Sequence, residues 1–238
     1  MVLARPTPMK DNNSKFIKYI FILICILELT SHVFDIRDMH LFTKPLLIPV
    51  LMVFFRRALT TQLNSSFMLA ILALIFSWIG DVFLMYEDND PIYFLIGLSG
   101  FSIAQILYIF SFKKARYNDE TVISIKYQLL FLLPFVVSGA VILWFLVPAA
   151  DELAYPLIIY SLLLLGMVIS AILRLDQTKQ SSFNQVFIGA VLFMISDSLL
   201  GFNKFLLPME NAQLFILLTY ILAQWNIVNG LLKHFNEA

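Results

Sequence analysis

The chain has 238 residues, of which 60% are hydrophobic and 13% are charged, and its 16 Lys+Arg balance its 16 Asp+Glu. Soluble domains are about 45–50% apolar and about 25% charged, so a soluble globule of this composition would expose a large apolar patch. Nucleic-acid binding is excluded too, because there is no net positive charge and no basic patch interleaved with aromatics. Cys25 is the one cysteine, which excludes an intrachain disulfide or a Cys-based zinc site. The composition therefore predicts an integral, multi-pass membrane protein.

Eight apolar stretches are long enough to cross a bilayer, which takes about 20 helical residues. They are continuous in Leu, Ile and Phe rather than alternating, which excludes a transmembrane β-barrel and predicts an all-α fold. The first stretch carries Glu28 and lacks a small-residue cleavage site, which distinguishes it from a signal peptide. In chain order, the predicted spans are Phe16–Phe34, Lys44–Leu59, Phe67–Met85, Ile92–Phe112, Tyr127–Val147, Tyr155–Leu173, Val186–Phe202 and Gln213–Leu232.

The second span has the weakest sequence signal. Its uninterrupted apolar stretch, Pro45–Phe55, is short and contains two prolines, so a re-entrant segment is the competing interpretation. Lys and Arg are enriched on the cytoplasmic side of membrane proteins. With eight spans and a cytoplasmic N-terminus, all of the 16 Lys+Arg except Arg37, Lys44 and Lys204 fall on that side. Loss of the second crossing would move Lys113–Lys126 outside, so we predict eight spans with both termini cytoplasmic, in the inner membrane of a bacterial host.

The predicted domain organisation follows from these spans. Residues 1–15 are expected to form a polar cytoplasmic tail, residues 16–232 one transmembrane domain, and residues 233–238 a short C-terminal tail. The transmembrane domain divides into possible repeat halves at 16–112 and 127–232. Each half has four spans, so the two would share one orientation, as in parallel repeats related by an axis along the membrane normal.

Three short matches support a duplication of four spans, with chance similarity between apolar segments as the alternative. Such a duplication would place Asp81 and Asp197 at equivalent depths, facing a shared axis. The matching segments are Ile79–Leu84 with Ile195–Leu200, Ala104-Gln105 with Ala223-Gln224, and Pro45–Ile48 with Pro156–Ile159.

Three carboxylates lie within the spans: Glu28, Asp81 and Asp197. A carboxylate at membrane depth costs about 2.5 kcal/mol or more, so it commonly faces a cavity and marks function. Asp81 lies about one turn from the outer end of its predicted helix, and the segment 201–204 after Asp197 marks a helix exit. We therefore predict that both aspartates open to a polar pocket near the outer surface, with interhelical bonding alone as the structural alternative. Glu28 and His32 are expected at the outer interface.

Other polar side chains are predicted to line the same pocket as the two aspartates. Ser77 precedes Asp81 by four residues and so shares its helix face. Lys44 could anchor its helix at the interface, or it could pair with an aspartate or, aided by Asn203 or Lys204, with a lipid phosphate near the outer surface. Interhelical hydrogen bonding is the alternative role for the Tyr and Gln residues. The remaining candidates are Gln105, Tyr108, Tyr160, Ser196, Tyr220 and Gln224.

The sequence offers no recognisable cofactor signature. It has no His-Glu motif with metal-ligand spacing and no glycine-rich phosphate loop. With three histidines in the chain, a metal-dependent membrane hydrolase is not expected, although an all-carboxylate metal site stays open. We predict no cofactor.

Several of these segments resemble the YhhN family, which includes the lysoplasmalogenases. The resemblance covers the chain from about Lys44 to Leu232, and its most specific motifs are the Gly-Asp and Ser-Asp boxes. Gln105 departs from the family pattern, because many members have His there, and this argues against a His-based proton relay. The segments that carry the resemblance are Thr43–Pro45, Phe76–Met85, Phe94–Tyr108, Tyr160, Gly189–Leu200 and Tyr220–Gln224.

The resemblance implies a hydrolase that cleaves the vinyl-ether bond of a lysoplasmalogen to a fatty aldehyde and a glycerophosphoethanolamine or glycerophosphocholine. Vinyl ethers hydrolyse by protonation of an alkenyl carbon, after which water captures the oxocarbenium ion. That chemistry suits one protonated and one ionised carboxyl group, so Asp81 and Asp197 are the predicted catalytic residues. The expected partners are the lysophospholipid and the bilayer. A proton-coupled transporter using the same aspartates and a non-catalytic lipid-binding protein are the alternatives.

Overall fold

The computed structural model describes residues 12–116 and 125–237 of the chain. Within these residues all regular structure is helical, and eight helices are long and apolar enough to span a membrane, which confirms the predicted class and number of spans. Two single 3₁₀ turns, Val147–Ala149 and Asp151–Leu153, connect the fifth helix to the sixth. The helices are α1 (Asn12–Val33), α2 (Arg37–Ala58), α3 (Ser65–Leu84), α4 (Pro91–Lys114), α5 (Ile125–Leu146), α6 (Ala154–Ile172), α7 (Gln180–Phe205) and α8 (Ala212–Glu237).

Helix boundaries differ from the hydropathy prediction where a helix begins or ends in polar residues. α2 begins at Arg37 rather than Lys44, and α7 begins at Gln180 rather than Val186. These added turns carry charged or amide side chains, which hydropathy does not count as part of a span. α8 likewise continues to Glu237 through the predicted C-terminal tail. Residues 1–11 of the predicted N-terminal tail lie outside the described residues.

α2 is a continuous 22-residue helix and not a re-entrant segment, although it contains Pro45 and Pro49. Pro49 has no N–H to donate to the carbonyl four residues earlier, which is that of Pro45. The Nε1 atom of Trp78, on α3, donates to this carbonyl at 2.8 Å. A neighbouring helix therefore supplies the hydrogen bond that proline removes, as is typical inside membranes. The same bond ties α2 to α3 one turn from Asp81.

Six of the helices form a closed ring in which each packs against the next. α2 contacts α3, α3 contacts α4, α4 contacts α6, α6 contacts α7, α7 contacts α8, and α8 returns to α2. α1 lies outside the ring against α2 and α8, and α5 lies outside it against α6 and α7. α5 is the least embedded of the eight helices. Only 6% of the residues in its most apolar stretch are buried inside the protein, compared with 28% in that of α1.

Glycines bring two helix pairs of this ring into close contact, as small residues do at membrane helix interfaces. A Cβ atom on Gly100 of α4 would lie 3.0 Å from the Phe76 carbonyl oxygen of α3. A Cβ atom on Gly189 of α7 would lie 2.8 Å from the Ala223 carbonyl oxygen of α8. The α3–α4 and α7–α8 pairs are the most extensively packed in the protein, and they carry Asp81 and Asp197 respectively.

Candidate active site

Asp81 ends a line of hydrogen bonds that crosses the helix ring. The Tyr220 hydroxyl of α8 donates to Asp81 Oδ2 at 2.7 Å. Gln224 Nε2 donates to the Tyr220 oxygen at 3.3 Å, and Tyr108 of α4 donates to Gln224 Oε1 at 2.6 Å. All four side chains are buried. Each hydroxyl and amide therefore points its proton in one direction, towards the Asp81 carboxylate.

Asp197 has a shorter set of partners. The Tyr160 hydroxyl of α6 donates to Asp197 Oδ2. Gln105 Nε2 of α4 lies 3.5 Å from the same oxygen, at the limit of hydrogen bonding. Gln105 Oε1 is buried and meets no hydrogen-bond partner among the described residues. Asp197 is therefore held firmly by one hydroxyl, and it is only partly buried whereas Asp81 is 6% exposed.

Both aspartates line one cavity of about 60 Å³, which is large enough for a few water molecules. The cavity lies between α3, α7 and α8, and α1 and α2 contribute His32 and Lys44 to its wall. Its polar lining carries both signs of charge. The full lining consists of His32, Lys44, Asp81, Leu84, Glu87, Phe101, Ser196, Asp197, Leu200, Gln213, Ile216, Leu217 and Tyr220.

A second, mostly apolar cavity of about 40 Å³ also borders Asp197. It shares Asp197 and Leu200 with the polar cavity, and its wall includes Tyr160. Its apolar wall comes from α4, α5, α6 and α7, with Phe94, Leu98, Ile142, Leu146, Leu157, Leu164 and Phe205 as the large side chains. Asp197 therefore stands between a polar space and an apolar one.

The apolar space extends towards α5. A further cavity of about 190 Å³ lies between α5, α6 and α7. It shares Ile142, Ser161, Leu164 and Ser198 with the smaller apolar cavity. Because α5 packs loosely on the ring, this series of cavities runs from Asp197 to the least embedded helix of the protein.

The structure brings most of the predicted site residues together. Lys44, Ser196, Tyr220 and both aspartates line the polar cavity, and Tyr160 lines its apolar neighbour. Gln105, Tyr108 and Gln224 lie behind this first layer as hydrogen-bond partners.

Three further predicted residues line neither cavity and, within the described part of the chain, make no hydrogen bond to the aspartates or their partners. Asn203 Oδ1 accepts from the Met209 backbone N–H at 2.9 Å, and so stabilises the turn between α7 and α8. Lys204 pairs with Glu87 at 3.1 Å, and its ammonium group lies over the Phe94 ring. Ser77 is fully buried, and its hydroxyl meets no partner among the described residues. Of the residues predicted to bind a phosphate, Lys44 is thus the one that lines the cavity.

Sequence reasoning missed a polar cluster beside the cavity. Glu28 is fully buried between helices rather than pointing out to the interface, and its carboxylate is met by His32, His40 and Thr43. The spacing of four residues between Glu28 and His32 places both on one face of α1, which was the available signal. His40 and Thr43 come from α2, so their approach depended on how the first two helices pack.

The sequence profile of the YhhN family matches residues 39–231. The chain belongs to the YhhN family. The region of the chain that matches the YhhN profile contains every predicted site residue from Lys44 to Gln224. It leaves out Glu28 and His32, so the α1 side of the cavity comes from outside the matched region.

Relatives with assigned names are the lysoplasmalogenases TMEM86B of pig and human. The pig protein is 32% identical over 152 residues, which is 64% of this chain and 58% of the relative. The human protein is 28% identical over 161 residues, which is 68% of this chain and 62% of the relative. The matches thus span about three fifths of the length of these relatives. No solved structure matches the chain.

Proposed function

We propose that this protein is a lysoplasmalogenase-like hydrolase that acts on a lysophospholipid within the membrane. The observation that carries the proposal is the position of Asp197 and Asp81. Both open to one small polar cavity, and Asp197 also borders an apolar one. A lysoplasmalogen has its vinyl-ether bond where a polar head joins an apolar chain, so that bond would lie beside these carboxyl groups. The names of the pig and human relatives favour the same chemistry.

The two cavities suit the two ends of such a lipid. The head-group phosphate would lie in the polar cavity, where Lys44 supplies a positive charge. The alkenyl chain would enter the apolar cavities bordered by α5, α6 and α7. These spaces are smaller than the roughly 300–1,000 Å³ of typical ligand pockets. α5, as the least embedded helix, is the element that we expect to yield when the chain enters.

Asp197 is proposed as the general acid. Asp197 lines both cavities, which supports a position for it beside the chain side of the vinyl ether, where the proton must be added. The Tyr160 and Gln105 donors both meet Oδ2, which leaves Oδ1 as the oxygen to carry the proton. Transfer of this proton to the second alkenyl carbon would leave an oxocarbenium ion at the carbon bonded to oxygen.

Asp81 is proposed as the ionised partner. Its carboxylate accepts from Tyr220 and shares the cavity with Lys44, both of which favour the charged form. It would take a proton from the water that attacks the oxocarbenium carbon, giving a hemiacetal. Asp81 would then return this proton to the departing glycerol oxygen while Asp197 takes the hemiacetal hydroxyl proton. The fatty aldehyde is released, and both carboxyl groups recover their starting states.

The internal repeat and the orientation of the chain belong to the same proposal. Close α3–α4 and α7–α8 pairs support a duplication, as does the contact of each aspartate with the last helix of the other half. Eight crossings put both termini on one side, and the distribution of Lys and Arg favours the cytoplasm. The catalytic cavity would then open near the outer surface.

The test is aldehyde release by the full chain, purified in detergent and supplied with alkenyl-glycerophosphoethanolamine. In D₂O, the proposed mechanism places one deuterium on the second carbon of the aldehyde, which should be trapped at once by reduction. Preformed aldehyde carried through the same procedure controls for exchange. Absence of aldehyde above the Asp81→Asn/Asp197→Asn double variant would remove the hydrolase proposal. Aspartate-dependent solute uptake by proteoliposomes would then support a transporter.

A further inference from the structure

A buried carboxylate and two imidazoles meet at the outer ends of α1 and α2. His40 Nδ1 lies 2.8 Å from Glu28 Oε1, and His32 Nε2 lies 3.4 Å from the same oxygen. The three candidate ligand atoms all lie within 4.8 Å of one another. Glu28 is fully buried, while the two histidine side chains are each 20% exposed. Both rings therefore converge on one carboxylate oxygen, and His32 also lines the polar cavity.

This arrangement matches the requirements of a zinc ion. Zn²⁺ binds His nitrogen at about 2.0–2.1 Å and carboxylate oxygen at about 2.0–2.2 Å, so tetrahedral ligand atoms lie roughly 3.3 Å apart. The Glu28–His32 separation of 3.4 Å is close to this value, and the Glu28–His40 separation of 2.8 Å is a hydrogen-bond distance that would lengthen by about 0.5 Å around an ion. One carboxylate and two histidines are also a common zinc ligand set with a fourth position left open.

The surroundings of Glu28 support its use as a ligand. The Thr43 hydroxyl contacts the other carboxylate oxygen, Oε2, which leaves Oε1 aimed at the two imidazoles. Metal-bound carboxylates are commonly oriented by such outer hydrogen bonds. His32 also lines the polar cavity that contains both aspartates. A cation at this position would therefore have its open coordination position towards that cavity.

We propose that Glu28, His32 and His40 form a binding site for a divalent transition-metal ion, of which zinc is the best fit. The site joins α1 to α2 and adds positive charge to the cavity wall that already contains Lys44. It draws two of its three ligands from outside the region matched by the YhhN profile. Cation binding does not depend on the proposed hydrolase activity, so the two are tested separately.

The experiment is a calorimetric titration with Zn²⁺ alone. The full chain is first treated with chelator and kept in detergent. We expect one strong site per chain, weakened more than about 100-fold by His32→Gln, His40→Gln or Glu28→Gln, because each removes a direct ligand. Thr43→Val should weaken binding by about 10- to 100-fold, because it removes only the outer hydrogen bond. His234→Gln is the matched control, since it changes the third histidine of the chain on a different helix, and its affinity should equal that of the wild type.

Thermal unfolding separates loss of the site from loss of the fold. Zn²⁺ should raise the Tm of the wild type and of His234→Gln, because a ligand that binds the folded state stabilises it. It should not raise the Tm of His40→Gln, even where that variant has the wild-type Tm in chelator. The proposal is overturned if wild-type affinity equals that of His32→Gln/His40→Gln, because the cluster is then hydrogen-bonded only. Equal loss of affinity in His234→Gln overturns it as well.

Discussion

Asp81 on α3 and Asp197 on α7 line the same polar cavity, yet their surroundings differ. Asp81 is more deeply buried and is served by three side chains in series, Tyr220, Gln224 and Tyr108. Asp197 has Tyr160 and a long contact to Gln105, and it borders both a polar and an apolar cavity. A buried carboxylate supported by a line of donors suits a permanent charge. A carboxyl group at a polar–apolar boundary suits the addition of a proton to carbon.

The largest expected effect is that of removing the acid. Asp197→Asn should lower kcat for aldehyde release by about 10²–10⁴-fold, the range that general acid catalysis contributes. Asp81→Asn should lower it less, because an amide can still hold the attacking water. Asp88→Asn is the control, since Asp88 is an exposed acid that does not line the cavity. A greater loss in Asp81→Asn would reverse the two assignments.

The tyrosines that donate to the two aspartates test the proposed difference in charge between Asp81 and Asp197. Tyr220→Phe should cost about 1.5–3 kcal/mol in the free energy of unfolding, because it removes a hydrogen bond to a charged group. Tyr160→Phe should cost about 0.5–1.5 kcal/mol, because its partner is proposed to be neutral. Denaturant unfolding in detergent measures both values. Repeating Tyr220→Phe in Asp81→Asn, and Tyr160→Phe in Asp197→Asn, isolates the coupling energy of each pair. A larger coupling energy for Tyr160–Asp197 than for Tyr220–Asp81 would contradict the proposed charge states.

The packing of the two helix pairs should respond unequally to added methyl groups. Gly189→Ala is expected to cost about 1–3 kcal/mol in unfolding free energy, because its Cβ would lie 2.8 Å from both Ala223 O and Ile227 N. Gly100→Ala, with its closest contact at 3.0 Å, should cost less. Gly139→Ala is the control, as its Cβ meets only the Met194 side chain at 4.0 Å and alanine favours helix by about 1 kcal/mol. Equal costs at Gly189 and Gly139 would show that backbone proximity is not limiting.

The smallest effect is expected from Lys44, which shares the polar cavity with Asp81 and is proposed to bind the phosphate of the substrate. Lys44→Gln should raise KM about tenfold with little change in kcat, because one charged hydrogen bond to phosphate is lost. Lys204→Gln should leave KM unchanged, since Lys204 does not itself line the cavity and its ammonium group is already paired with Glu87. An alkenyl-glycerol without phosphate should show no difference between wild type and Lys44→Gln. A difference between wild type and Lys44→Gln on this substrate would mean that Lys44 acts on the aspartates and not on the phosphate.

The fold was largely predictable because length and hydropathy decide which segments can cross a bilayer. All eight predicted spans are helices, including the one with Pro45 and Pro49. The sequence could not show why this span stays helical through its prolines. The hydrogen bond from Trp78 to the Pro45 carbonyl joins two helices, so it depends on how they pack. The polar start of α2 was missed for a related reason, since hydropathy cannot distinguish a polar helical turn from a loop.

The candidate site was predictable in its members but not in its layers. Asp81 and Asp197 stand out from the apolar background of their spans, and Lys44 stands out as one of three basic residues predicted on the outer side. Sequence alone could not show that Gln224 lies behind Tyr220, or that Asn203 serves a turn, since both depend on side-chain direction. The Glu28 cluster was missed because two of its partners come from the next helix.

The boundary position of Asp197 has a consequence for the fate of the products. Under the proposed hydrolysis, one product is a water-soluble phosphodiester and the other is a long-chain aldehyde. The first would leave through the polar cavity, and the second would pass along α5 into the bilayer. The cleaved halves would partition into different phases from opposite sides of a single carboxyl group, so neither product would block the exit of the other.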